Sequence, residues 1–455
     1  MNGSTVFDSF LFRDTFGTPE MRAVFSDQAY VETIVRVEVA LARAQARAGV
    51  IPREAADAIA ERCAPARLDR DRLRRETDTV GYPILPTVRQ LAEQCGDVGG
   101  FLHWGATTQD IMDTALILQC AEGLTLVTGA LDRLRARLRA LAEEHIDTVT
   151  AGRTHLQHAL PITFGHRVAV WLSALDRHAE RLSAVRERDL MVQFGGAAGT
   201  LASLGPGKEG LRVRAGLAAE LGLRDPEITW HSARDGLAEI VGLLAAIGAS
   251  AGKIGSDVAM SCSTEFGELA EPFVPGRGAS STMPQKRNPI SSEIMVATAK
   301  LLRDKSSAML DAMIHDFERA TGPWHVEWAV IPEAFLLLSS SLYQAEQVMA
   351  GLRVDTERMR ANLGLTGGLV VAEAVMMALA PVLGRQRAHE LVYEACSRIR
   401  DTGGDLATEL RKFPDIAATL GNDRIDELCD PATYLGSAQA MVRSVTRVPA
   451  DGRPG

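Results

Sequence analysis

Strand signals are almost absent from this chain, and so are the local patterns that announce metal, nucleotide or serine-hydrolase chemistry. There is no Walker-type phosphate loop, no nucleophile elbow and no pair of histidines at metal-ligand spacing. The six cysteines (Cys63, Cys95, Cys120, Cys262, Cys396 and Cys429) are scattered, with no two near enough in sequence to form a zinc or redox pair. They read as buried free thiols of a reducing compartment. No uninterrupted apolar run approaches the ~18–20 residues of a membrane span. The start, Met1 to Asp8, has no basic region leading into an apolar one. A cytoplasmic protein with no membrane partner is expected. Basic charge is also in deficit: 49 Lys and Arg stand against 58 Asp and Glu, for a net charge of −9. That disfavours a nucleic-acid partner, since such binding rests on clustered cations. A locally basic site for a small anion is still compatible with it.

The chain has 455 residues, 46% hydrophobic and 24% charged, as in a soluble globular protein of two or three domains. Helical periodicity dominates. From Leu237 the positions Ile240, Val241, Leu244, Ile247, Gly248, Ala251 and Ile254 keep a three-four spacing that makes one helix face. Gly248 and Ala251 on that stripe predict a closely approaching neighbour. Similar stretches cover roughly 28–48, 109–145, 162–190, 291–314 and 332–352. Breaks rich in Gly, Pro, Thr or His lie at 100–108, 150–161, 193–209, 222–232, 271–289 and 319–325. Long helices with short polar joints imply an all-α bundle whose chemistry sits at the joints. The expected division is 1–108, 109–355 and a small helical part at 356–455, with a frayed tail from Val448 to Gly455.

Residues 276–293 carry the most functional information. Gly276 and Gly278 supply backbone freedom, Ser280 and Ser281 two hydroxyls, and Lys286, Arg287 and Asn288 two cations and an amide. Pro289 is placed to open a helix. Such a set at a helix entrance suits an anion, whether bound or transient. An ordinary polar capping loop is the competing reading. Two other joints stand out. Thr107 and Thr108 precede a long helix, where a hydroxyl either meets a carboxylate or merely caps the helix. Thr154 and His155 place a hydroxyl beside an imidazole, with a structural histidine as the alternative. The glycines of Gly195-Gly196-Ala197-Ala198-Gly199 read as close helix approach rather than a dinucleotide loop, because no strand precedes them. Trp324-His325-Val326-Glu327-Trp328 reads equally as a pocket wall or as a packed helix start.

Taken together, the three joints resemble the fumarase/aspartase superfamily, which includes argininosuccinate and adenylosuccinate lyases. Ser280-Ser281-Thr282-Met283-Pro284-Gln285-Lys286-Arg287-Asn288-Pro289 matches the family's most specific motif, and Thr154-His155 and Thr107-Thr108-Gln109-Asp110 match its two other blocks in order. Within it, His103-Trp104-Gly105-Ala106, Trp230-His231-Ser232-Ala233-Arg234-Asp235 and Asp430-Pro431-Ala432-Thr433-Tyr434 look most like the 3-carboxy-cis,cis-muconate cycloisomerase branch. Three departures stand out. Bacterial cycloisomerases carry Trp where this chain has His155. Adenylosuccinate lyases have a His near Gly81-Tyr82-Pro83, where this chain has none, and Ala279 replaces the usual glycine.

The resemblance implies a three-domain, mostly helical subunit in a homotetramer with a twenty-helix central bundle. Each active site would take one motif from each of three subunits. It also implies that no metal or organic cofactor is needed and that the substrate is a small dicarboxylate. By the same resemblance Ser280 is the general base, acting as an alkoxide, and His155 is the acid toward the leaving group or its orienter. Thr107, Thr108, Thr154, Ser281, Lys286 and Asn288 would hold the substrate. Two enzyme readings follow. One is a lyase expelling a nitrogen group from an aspartate- or succinate-type compound, nitrosuccinate included, to give fumarate. The other is the cycloisomerase of protocatechuate breakdown. A non-catalytic, crystallin-like assembly is the third reading, and the presence of Ser280, His155 and Lys286 speaks against it.

Overall fold

The three-four spacing becomes long helices in the computed structural model, which describes residues 3–319 and 321–447; the tail expected from Val448 lies outside them. Six helices exceed twenty residues among the described residues: α1 (Asp27–Arg47), α2 (Thr108–Glu144), α3 (Phe164–Arg188), α4 (Asp235–Ser261), α5 (Ile290–Ala312) and α6 (Pro323–Ala350). The fold class is all-α, as expected. On α4 the stripe Leu237, Ile240, Val241, Leu244, Ile247, Ala251 and Ile254 is buried. A Cβ on Gly248 would collide with Leu302 of α5, so the small residue does admit a close neighbour.

Four expectations need correction. The helix expected from residue 332 starts at Pro323 and carries Pro332 inside it. Its first turns are fixed by buried Trp324 and Glu327, and this anchoring outweighs the hydrogen bond a proline removes. Second, α5 starts at Ile290, so Pro289 stands just before the helix. Third, the joint at 150–161 is a β-hairpin, Val149–Thr154 paired antiparallel with Gln157–Thr163, and a second small ladder joins Leu269–Ala270 to Arg353–Val354. Fourth, α2 and α4 do have the length and hydropathy to cross a membrane (1.4 and 1.6 over the best stretch), a property that a search for unbroken apolar runs misses. Burial covers 61% of each of those stretches within the protein, and a helix packed on most sides in a large core has the same composition.

The chain divides into two compact units, the first made of 1–131, 178–252 and 295–343, the second of 132–177, 253–294 and 344–455. In the first, Ile34, Leu41, Ile111, Phe194, Leu217 and Trp324 are the centre of one apolar cluster. In the second, Val375, Leu379, Ala388, Leu410 and Ile416 centre another, within its short C-terminal helices. Tertiary folding also brings together Cys63 and Cys95, whose Sγ atoms are 3.4 Å apart. Sequence separation of 32 residues had hidden this pair.

Candidate active site

In the first unit the Thr107 joint is built around a buried carboxylate. Thr107 immediately precedes α2, and its N–H donates to Asp110 Oδ2 at 3.0 Å, the reciprocal half of a capping box. The Thr107 hydroxyl is not used to cap the helix: it accepts from Arg319 Nη1 at 2.6 Å. Arg319 Nη2 donates to Gly196 O at 3.3 Å and also to Ala197 O. Among the described residues Arg319 has no carboxylate partner, so its charge is surrounded by neutral oxygens only. Thr108, half-buried, is the first residue of α2.

The loop 193–199 is folded against residues 229–231, not against a helix as expected. A Cβ on Gly195 would stand 2.6 Å from Thr229 Oγ1, and one on Gly199 would strike Thr229 Cγ2. Arg234, buried, sits between two buried acids, with Nη1 to Asp113 Oδ2 at 2.7 Å and Nε to Glu327 Oε1 at 2.8 Å. Burial opposes the Arg234 charge, but the two carboxylates outweigh it and hold the guanidinium protonated. Burial raises Glu327 above the usual carboxylate range, against the pull of Arg234. Trp324 Nε1 donates to Asp113 Oδ1 at 3.0 Å, so this tryptophan opens α6 as a packed residue. At the joint's other end His103 Nδ1 meets the buried Glu38 at 2.7 Å. Burial disfavours the imidazolium, but the Glu38 charge and hydrogen bond more than offset it and raise the His103 pKa.

In the second unit Thr154 and His155 lie exposed at the tip of the hairpin. Thr154 pairs with Gln157, leaving His155 and Leu156 as the turn, both in the left-handed region at φ 52° and 61°. A two-residue hairpin turn demands this conformation, usually met by Asn and Gly. Here a histidine and a leucine accept the strain. The register slips between Ala151 and Arg153, where a Cβ on Gly152 would stand 2.8 Å from Leu160 O. Arg153 anchors the hairpin through Nη1 to the buried Glu268 at 3.0 Å, and Asn362 Nδ2 reaches the same carboxylate at 2.8 Å. Burial works against the Glu268 charge, yet these donors keep its pKa below the usual range.

The serine loop lies in the same unit. Gly276 and Gly278 hold φ of 81° and 69°, which only glycine adopts without strain, and Asn288 N returns to Gly278 O at 3.0 Å. Arg277 ties the base to Gln344 at 2.7 Å, and the Arg287 guanidinium lies 4.4 Å from the Phe273 ring centroid. The tip, Ser281 to Arg287, is exposed. Ser280 Oγ accepts from Met283 N at 3.0 Å and Thr282 N at 3.3 Å. Lys286 has no acidic partner among the described residues. One expectation changes here. The first amides of α5 are not open to an anion, because Ser291 N and Ser292 N donate to Glu271 at 3.3 and 2.8 Å. The donors at Ser280 Oγ are the loop amides of Thr282 and Met283, and the helix entrance is neutralised by Glu271.

Ser280, Ser281, Lys286 and Asn288 therefore share one loop, Thr154 and His155 one hairpin tip, and Thr107 and Thr108 one helix start. Within the second unit, no hydrogen bond among the described residues joins the serine loop to the hairpin tip. Sequence reading missed Arg319 and the hub at Asp110. The spacing of Thr107 to Asp110 was a capping-box signal that could have flagged the second.

Residues 13–301 match the protein family described as Lyase, and 368–445 match the adenylosuccinate lyase C-terminus family. The chain is 45% identical to a 3-carboxy-cis,cis-muconate cycloisomerase of Pseudomonas aeruginosa, over 95% of each chain. It is 39% identical to the nitrosuccinate lyase of Streptomyces davaonensis, over 94% of this chain and 92% of that one. Among solved structures, a fumarate lyase from Mesorhizobium sp. BNC1 superposes with a TM-score of 0.89 at 51% identity, covering 95% of this chain and 98% of that one.

Proposed function

The chain belongs to the fumarase/aspartase superfamily of lyases, and on that premise we propose that it expels a nitrogen leaving group from a succinate-type dianion and releases fumarate. One observation carries this reading: two backbone N–H groups already point at Ser280 Oγ, in a loop whose Lys286 has no acidic partner among the described residues. A serine hydroxyl is too weakly acidic to be a base unless its anion is stabilised, and preorganised donors supply that stabilisation.

In the reaction Ser280 Oγ, as the alkoxide left once its hydroxyl proton has passed to solvent, takes the proton from carbon beside one carboxylate and returns it to solvent after turnover. The C–H electron pair moves into that carboxylate, giving a dianionic enolate. Lys286 and Asn288 meet the added charge. Collapse of the enolate forms the carbon–carbon double bond, and the C–N electron pair leaves with the nitrogen group, to which His155 delivers a proton. Arg319 and the Thr107 and Thr108 hydroxyls hold the other carboxylate. Each site takes the serine loop, the hairpin tip and the Thr107 joint from different copies in a homotetramer.

A second reading has its own support. The 45% identity to the Pseudomonas aeruginosa cycloisomerase favours intramolecular addition of a carboxylate to a double bond. His155 speaks for the lyase. Purified protein should release fumarate, followed by its ultraviolet absorbance, from nitrosuccinate or an N-substituted aspartate. Consumption of 3-carboxymuconate with no fumarate from any succinyl compound would decide for the cycloisomerase.

A further inference from the structure

Asp110 is fully buried, and its carboxylate receives four donors from three segments of chain. Thr107 N and Gly196 N donate to Oδ2 at 3.0 and 2.9 Å, and Gly195 N donates to Oδ1 at 2.9 Å. His231 Nε2 donates to Oδ1 at 2.7 Å. The His231 ring is itself buried and fixed: Nδ1 stands 3.2 Å from Thr229 Oγ1, and Gln109 Nε2 holds the backbone O of residue 231 at 2.9 Å.

These contacts close a ring. Asp110 holds the backbone of Thr107, the Thr107 hydroxyl accepts from Arg319, Arg319 donates to Gly196 O, and Gly196 N returns to Asp110. The two groups proposed to hold a substrate carboxylate are thus members of a cycle whose one buried anion is Asp110. We propose that the Asp110–His231 pair is a positioning device: His231 orients the Asp110 carboxylate, which in turn sets the Thr107 hydroxyl and the Arg319 guanidinium at the spacing a carboxylate needs. Neither Asp110 nor His231 touches the substrate.

The geometry explains two sequence choices. Gly195 admits no side chain because a Cβ would stand 3.1 Å from His231 Cε1 and 2.6 Å from Thr229 Oγ1. Gly196 holds a φ of 71°, which turns its N–H inward to Asp110 and its O outward to Arg319. A misplaced clamp loses binding even when every liganding side chain is present.

The inference rests on the reading that Thr107 and Arg319 bind one end of a dicarboxylate, and fumarate is the probe. In the full-length assembled protein, His231→Leu removes the donor, and His231→Gln restores an N–H where Nε2 stood. Calorimetric titration should show His231→Leu weakening fumarate by about tenfold or more, the scale of one displaced charge-assisted bond, with His231→Gln within about threefold of wild type. Should His231→Leu fail to fold, His231→Asn, whose amide falls short of Asp110, takes its place. A folded donor-less variant that binds fumarate as wild type overturns the proposal, and so does a Gln variant as weak as the donor-less one. A wild-type protein that does not bind fumarate sinks the dicarboxylate reading instead. The positioning claim is then judged by hydrogen exchange, where the Gly195 and Gly196 amides must exchange faster in the donor-less variant; unchanged rates overturn it.

Discussion

Ser280 Oγ rests between two backbone donors before any substrate arrives. Ser280→Ala should lower turnover by about 10²–10⁴-fold with helix content and assembly unchanged, as measured by steady-state kinetics and light scattering. Activity near wild type in that variant would remove the base assignment. Arg319 has the opposite character, a cation among neutral oxygens, and its loss should show in binding. Arg319→Gln should weaken fumarate by about 10- to 150-fold, the equivalent of ~1.5–3 kcal/mol for bonds to a charged group. His103 gives a pH test. Its pKa is raised in the folded state, so the contact with Glu38 stabilises fully below the imidazole's ordinary value of ~6.5 and fades as pH rises through the raised one. His103→Gln should therefore lower the melting temperature more at about pH 5.5 than at about pH 9. Ser280 and His155 were proposed from motif matching because the roles assigned to them depend on residue type. Arg319 was not, since only its meeting with Thr107 marks it.

The hairpin and the start of α5 show what local sequence could and could not announce. The turn at His155 and Leu156 gave no Asn-Gly signal, so the joint read as a loop. Its strands are held by Arg153 on Glu268, a contact across 115 residues that no local pattern encodes. Because Leu156 is exposed and left-handed, Leu156→Gly should stabilise the second unit by up to ~1–2 kcal/mol, seen as a higher unfolding midpoint. A lower midpoint would mean that the leucine packs against something in the assembled protein. The α5 entrance teaches a similar lesson. Boundaries of α1, α2, α3 and α5 were readable to within about two residues from periodicity and proline, whereas α6 starts nine residues before the expected 332. The charge at the α5 entrance was not readable, because the carboxylate that neutralises it, Glu271, lies twenty residues upstream. Buried Arg234 joins α2 to α6 in the same non-local way. Arg234→Met should destabilise by about 3–5 kcal/mol, since it leaves two acids buried without their cation. A small shift of the unfolding midpoint would contradict that account.

At the scale of the whole molecule, the proposal is that each site draws its three motifs from different copies of the chain. Composite sites make a specific forecast. Thr107→Val and Ser280→Ala, each inactive alone, should regain activity when the two proteins are unfolded together and reassembled, because some sites then draw both intact motifs from different copies. No recovery in verified mixed assemblies would place each site within one chain. Sequence by itself determined the helical class, the α4 stripe and the family, because periodicity and motif identity are local properties carried by neighbours along the chain. Tertiary structure alone decided that Arg319 faces Thr107, that Asp110 is the hub beneath them and that Glu271 rather than a substrate occupies the α5 entrance. Those outcomes depend on which distant groups are forced to share a buried volume, where every charge and every backbone N–H must find a partner.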